Sequence, residues 1–232
     1  MGKNKRRLTA RLPSNWRQMM WDSLPPSRRL RSAVAVLQLS GCRPEELQKG
    51  VIVRFEPAVE GYPIGLELTI LGAKVGRIRD SKGIEHDRGQ ERRSILVSLD
   101  SPAAQHLLDE FDVAMKSGAE YLHVSYHRKS LSNRLSEVSR IVFPRRREHI
   151  SAYCYRHQIT SDHKAAGVAR ETIAAMLGQL SDYSQGSYGR PRNGRSATQP
   201  LVLGAFATNP VKRSKKTDRL QHFKKPKKTP AP

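Results

Sequence analysis

Three residue types that can work on a phosphate ester stand at four positions of this chain, Arg43, Lys74, Arg156 and Tyr188. Breaking a phosphodiester without a metal needs fixed positive donors on the nonbridging oxygens. It also needs an attacking oxygen in line and a proton for the leaving 5′-oxygen. Guanidinium groups suit the first task because they grip phosphate through paired N–H bonds. A tyrosine hydroxyl can attack and hold the product covalently. A lysine ammonium can donate the proton. No carboxylate cluster suited to magnesium stands out in the sequence, so a metal route has little support. Taken singly, each residue has a plainer reading: a surface arginine near a helix end, one solvated lysine among many, a salt-bridged helix arginine, a loop tyrosine.

Local context narrows these readings. Arg43 stands in Ser40-Gly-Cys-Arg-Pro-Glu-Glu-Leu47, where Gly41 stops one helix and Pro44 opens a short one. Ser151 is suited to cap a helix that carries Tyr153 and Arg156. Gly167 reads as a stop. A second helix over 170–177 has Ile173, Met176 and Leu177 on one face, and Gly178 ends it. Tyr188 follows in a polar Gly/Ser-containing segment, with Tyr183 nearby as a rival.

This pattern resembles the C-terminal signature of the tyrosine recombinases, the phage-integrase family. That signature runs His-x-x-Arg-His, a Gly-Val turn, Leu-Gly-His, and a Tyr nine residues after the last His. Arg156-His157, Gly167-Val168 and Leu177-Gly178 match it, and Tyr188 lies nine residues after Gln179. Residues 40–47 resemble the family's first-arginine motif, Thr-Gly-x-Arg-x-x-Glu-Leu, with Glu46-Leu47 in register. Two positions depart. Tyr153 stands where the family has His, and Gln179 where it has His or Trp. A phenol can hydrogen-bond a phosphate oxygen but is a poor proton shuttle near neutral pH, and an amide can donate one hydrogen bond.

The resemblance covers about residues 13–190. It implies that Tyr188 attacks to form a 3′-phosphotyrosine link, that Arg43 and Arg156 hold the phosphate, and that Tyr153 and Gln179 assist. It implies that Lys74, on the turn after the second strand, is the acid, with Lys82 a rival. His157 reads as a structural partner. The implied function is site-specific DNA recombination or integration, with no cofactor, because the covalent link stores the bond energy until a 5′-hydroxyl reverses it. The implied partners are double-stranded DNA and further copies of the chain, from dimer to tetramer on DNA. Family members usually carry a helical core-binding domain of roughly a hundred residues ahead of the catalytic one. Only a short basic arm precedes it here, so a fragment, a single-domain clamp or a partner supplying that domain are all open. The alternative is a catalytically impaired DNA-binding protein of the same fold that regulates a recombinase.

The rest of the sequence frames these residues. The chain has 232 residues, 42 Lys and Arg against 21 Asp and Glu, a net charge of +21 and a pI of about 10.5. That excess points to a polyanion, nucleic acid first. There is no apolar run long enough to cross a membrane and no secretory signal. Cys42 and Cys154 have no metal-like spacing and read as buried free thiols of a reducing, DNA-associated cytoplasmic protein.

The fold class expected is α+β, mostly helical with a small antiparallel three-stranded sheet. Helices are predicted over 15–22, 27–39, 44–47, 102–115 and 130–142, the fourth with Leu107, Leu108, Phe111 and Ala114 as its buried stripe. The strands are 51–55, 65–71 and 94–99, with residues 72–93 as a long charged connection. Residues 121–126 are ambiguous. Residues 1–12 read as a basic disordered arm, 13–190 as the catalytic domain and 191–232 as a flexible basic tail. Within the tail, the apolar island 201–206 could dock on a neighbouring copy, by analogy with related recombinases.

Overall fold

The computed structural model describes Thr9 and residues 11–58, 63–79, 83–195 and 202–213. Its helices are α1 (Trp16–Asp22), α2 (Arg28–Ser40), α3 (Pro44–Lys49), α4 (Pro102–Lys116), α5 (Arg128–Val142), α6 (Ala152–Ala165) and α7 (Arg170–Met176). Its strands are β1 (Val51–Glu56), β2 (Gly65–Leu71), β3 (Gly76–Arg79), β4 (Glu85–Arg88), β5 (Arg92–Val97), β6 (Leu122–Val124) and β7 (Val202–Ala207). Two 3₁₀ turns, Asp182–Ser187 and Pro191–Asn193, lie between α7 and β7.

Helix α2 is the core element. Ser27 caps it by accepting from the Leu30 N–H, and Gly41 closes it in the left-handed region at φ 59°. Its residues 32–37 are all buried, with Arg31 and Gln38 half-buried on either side, so it is wrapped on nearly every side. Helix α6 crosses it and is buried almost as fully. The Trp16 ring of α1 packs on Tyr155 of α6 at 4.8 Å between centroids, and its indole N–H donates to Gln158 Oε1 at 3.2 Å. In α4, Leu107 is buried as predicted. Leu108, Phe111 and Ala114 are only half-buried, and Ala103 and Ala104 complete the buried stripe.

The sheet is larger than expected. Five strands run in the order β6-β1-β2-β5-β7, every neighbouring pair antiparallel. Val51 and Val53 of β1, Leu66, Leu68 and Ile70 of β2, and Ile95 and Val97 of β5 point into the core. Two strands escaped the sequence reading for identifiable reasons. Strand β6 has three residues, too few to show alternation. Strand β7 lies in the segment read as a flexible tail, and its partner β5 is about a hundred residues earlier in the chain. So residues 202–207 form an edge strand of the sheet, paired with β5.

The connection 72–93 is also more than a linker. It folds back as a separate hairpin, β3 against β4, with Gly76 opposite Arg88 and Arg79 opposite Glu85. Its strands have four residues each and are mostly charged, too short to show a period-two signal. Arg77 and Arg79 both pair with Glu85 across it. Among the described residues no helix is long and apolar enough to cross a membrane.

Candidate active site

Arg43 is the residue between α2 and α3. Its extended backbone (φ −80°, ψ 153°) turns the chain into α3, and its N–H donates to Glu46 Oε2 at 2.8 Å. Its guanidinium donates to Glu46 Oε1 at 2.5 Å. Glu46 is fully buried and also receives Nη2 of Arg93 at 2.8 Å. Arg93 comes from β5, and its Nε donates to the Met176 carbonyl at the end of α7 at 2.8 Å. One carboxylate therefore ties α3, β5 and α7 together. Burial pushes the Glu46 carboxyl up, but Arg93 and then Arg43 outweigh it and bring its pKa down to about 2.

That ion network makes a prediction about acid. The Glu46 carboxyl titrates near 4.5 when unfolded and about 2 when folded. Its stabilising effect is whole above pH 4.5 and is lost as pH falls through 2. A shift of this size corresponds to about 3 kcal/mol. Chemical denaturation from pH 7 to pH 2 should show wild-type stability falling through this window. Glu46→Gln should be less stable at neutral pH and should lose less between pH 4.5 and 2. Equal slopes for the two proteins would mean that Glu46 does not carry this term.

Arg156 projects from α6 and is completely buried. Nη1 donates to the Gly41 carbonyl at 2.9 Å and Nη2 to the Leu177 carbonyl at 2.7 Å. Both acceptors lie where helices α2 and α7 end, where carbonyls lack partners and the helix dipole is negative. Burial, then the charge of Arg43, lowers the Arg156 pKa to about 10, so it stays protonated at neutral pH.

Tyr188 lies beside this pair. The Arg156 guanidinium carbon stands 4.9 Å from the Tyr188 ring centroid, and the His157 ring is 5.4 Å away. Burial raises the phenol pKa, but the charges of Arg156 and then Arg43 outweigh it and set it below the ordinary 10. Tyr153, half-buried in the first turn of α6, borders the same group. Its phenol is raised, first by burial and then by Glu45, and it feels Arg43, Tyr188 and Arg156. Tyr183, the rival tyrosine, is 58% exposed.

A cavity of about 380 Å³ opens beside these residues, lined by Arg43, Lys74, Arg88, Gly178, Gln179 and Tyr188 among others. Lys74 sits on the exposed turn between β2 and β3. Lys82 lies outside the described residues. Gln179 is buried, and its Oε1 accepts from Gln185 Nε2 at 2.5 Å. Of the six residues singled out in the sequence, Arg43, Lys74, Gln179 and Tyr188 line this cavity, while Arg156 stands against the Tyr188 ring and Tyr153 is electrostatically coupled to the group. Cys42 is free, buried and next to Arg43; burial, then Glu46, pushes its thiol up to about 12, which makes it inert as a nucleophile at neutral pH.

Sequence reasoning missed three residues that build the site. Arg93 had a signal: in Arg92–Val97 it alternates with Ile95 and Val97 on the inward face, and a charge there needs a buried partner. Gln90 had none. Its amide is closed on the backbone of Asn209 in both directions, at 2.7 and 2.8 Å. Together with the Lys212 N–H donating to Leu180 O at 2.8 Å, this seats the C-terminal segment beside the residues leading to Tyr188. Lys164, at the end of α6, had none either.

Among solved structures the chain is similar to the crystal structure of XerA recombinase, with a TM-score of 0.50 and 15% identity, covering 76% of this chain. It spans 58% of the length of that protein. No family model matches the sequence. No curated protein matches it either. What is shared with that tyrosine recombinase, at this identity, is the fold.

Proposed function

We propose that this chain cuts and rejoins double-stranded DNA as a tyrosine recombinase, and that Tyr188 is the nucleophile. The observation that supports this most is the pairing of Tyr188 with two guanidinium groups that arrive from different elements, Arg43 and Arg156. In this reading the Tyr188 oxygen loses its proton to water and attacks the scissile phosphorus. The bond from phosphorus to the 5′-oxygen breaks, its electron pair stays on that oxygen, and Lys74 supplies the proton. A 3′-phosphotyrosine link results, and a 5′-hydroxyl reverses the step. Arg43 and Arg156 stabilise the charge on the nonbridging oxygens. Tyr153 and Gln179 add hydrogen bonds in place of the family's histidines. No cofactor enters these steps.

The partners in this reading are duplex DNA and further copies of the chain assembled on it. A core-binding domain from another chain would complete the grip. A second reading has one specific observation in its favour. Gln179 is engaged with Gln185, which fits a DNA-binding regulator with impaired chemistry. Incubation with a nicked duplex that traps the covalent intermediate separates the two: an adduct supports the enzyme, and tight binding without adduct supports the regulator.

The lysine-rich stretch 214–228 lies outside the described residues and is proposed as an added DNA contact. Truncation after Arg213 spares the ordered segment. It should weaken duplex binding and flatten the plot of log affinity against log salt, because fewer counterions are displaced. Equal salt slopes for full-length and truncated protein would show that the tail does not touch DNA.

A further inference from the structure

The helix that carries Arg156 also holds the backbone around Tyr188. Lys164 lies in the last turn of α6, and its ammonium donates to three main-chain carbonyls. These are Gln185 at 2.6 Å, Gly189 at 2.9 Å and Tyr188 at 3.3 Å. An ammonium has three N–H donors, so three acceptors match its capacity. The acceptors sit at the end of the Asp182–Ser187 turn and just beyond it. The Gln185 carbonyl also accepts from the Tyr188 N–H, and the Tyr188 and Gly189 carbonyls follow the turn's end, where a cation is favoured. The phenolic side chain of Tyr188 thus leaves a backbone whose carbonyls are held by one positive charge.

A second contact acts from the same helix. At Gly189 an added Cβ would stand 2.2 Å from Ser161 Oγ and 2.4 Å from the His157 carbonyl, both on α6. Only a residue without a side chain lets the chain lie this close. So the residue after Tyr188 is pressed on α6 while the carbonyls around it are held by Lys164. Apart from this, the Tyr188 N–H makes a 3.3 Å bond to the Gln185 carbonyl, a bond internal to the same short segment. Nothing in that bond fixes the segment relative to Arg156. The Lys164 contacts do, because Lys164 and Arg156 ride on one rigid helix.

We propose that Lys164 is a positioning residue that sets the distance from Tyr188 to the Arg43–Arg156 pair by clamping the backbone on which Tyr188 is mounted. This rests on the reading of Tyr188 as nucleophile. It adds a control on reactivity that is separate from the groups facing the phosphate. In-line attack tolerates little displacement, and an error of about 1 Å costs on the order of a hundredfold in rate.

The test uses the full chain with Lys164→Met, which keeps length and removes charge, and Lys164→Arg, which keeps the charge. Hydrogen exchange is read at residues 185–190 in the free protein. Single-turnover adduct formation and equilibrium affinity are read on a nicked duplex. Lys164→Met should raise exchange at 186–189 by about tenfold or more, since a local opening replaces a clamped segment. It should slow adduct formation by about ten- to a hundredfold with affinity unchanged. Lys164→Arg should restore most of both. Unchanged exchange in Lys164→Met overturns the proposal. So does a loss of DNA affinity equal to the loss of rate, which would make Lys164 a DNA contact. Loss of protection along the whole of α6 would make it a folding residue and overturn the proposal too. If the wild type forms no adduct, the nucleophile reading fails, and the exchange data still decide whether Lys164 clamps the segment.

Discussion

Replacing Tyr188 by Phe is expected to abolish covalent capture of a nicked duplex while leaving DNA affinity unchanged. The phenyl ring keeps the contacts with His157 and Arg156, which are contacts of the ring face and edge. Only the attacking oxygen is lost. Tyr153, the other phenol bordering the site, has its pKa raised rather than lowered. Cys42 is buried with its thiol held far above neutral pH, and Tyr183 is largely exposed. The measurement is the fraction of labelled DNA that remains attached to protein after denaturation, with Tyr183→Phe as the companion. Adduct from Tyr188→Phe, and none from Tyr183→Phe, would move the nucleophile to Tyr183 and end the present assignment.

The second large effect concerns the two arginines, which should fail in different ways. Loss of one preorganised donor to a developing charge slows a reaction by about a hundredfold or more. Arg43→Ala should show that loss with a stability loss confined to Glu46, whose buried Oε1 is left unpaired while Oε2 keeps its bond to Arg93. Arg156→Ala should show the rate loss and a stability loss together. It leaves the carbonyls of Gly41 and Leu177 buried and unpaired, at about 1–3 kcal/mol each. The two charges also hold the Tyr188 phenol below its ordinary pKa, after overcoming its burial. The rate in the wild type should therefore rise with pH and level off below pH 10. In Arg43→Ala the levelling should move to higher pH, since less positive charge favours the phenolate less. Single-turnover cleavage across pH 6 to 10, paired with denaturant unfolding of each variant, reads all of this. If both variants cleave at the wild-type rate, neither arginine holds the scissile phosphate.

The sequence by itself determined which residues are proposed to carry chemistry and which helices hold them. Arg43 and Arg156 were legible because each is bracketed by helix punctuation. Gly41 and Pro44 flank the first, Ser151 opens the helix of the second, and the helix starts observed fall within a residue of those read. Local rules suffice there, because caps and stops depend on a few neighbouring backbone bonds. Tyr188 was legible from spacing in relation to Gly178. Tertiary structure decided the rest. The edge strands β6 and β7 exist through pairing with distant segments, and nothing in their own composition requires it. Whether Glu46 would serve Arg43 alone or also Arg93 depended on β5 reaching α3 through the fold. The three carbonyls gathered by Lys164 belong to residues with no sequence signal for it, because main-chain oxygens are present at every position. A buried charge selects its partners by where the backbone brings carbonyls and carboxylates within about 3 Å, and that distance is set only when the helices and sheet have packed.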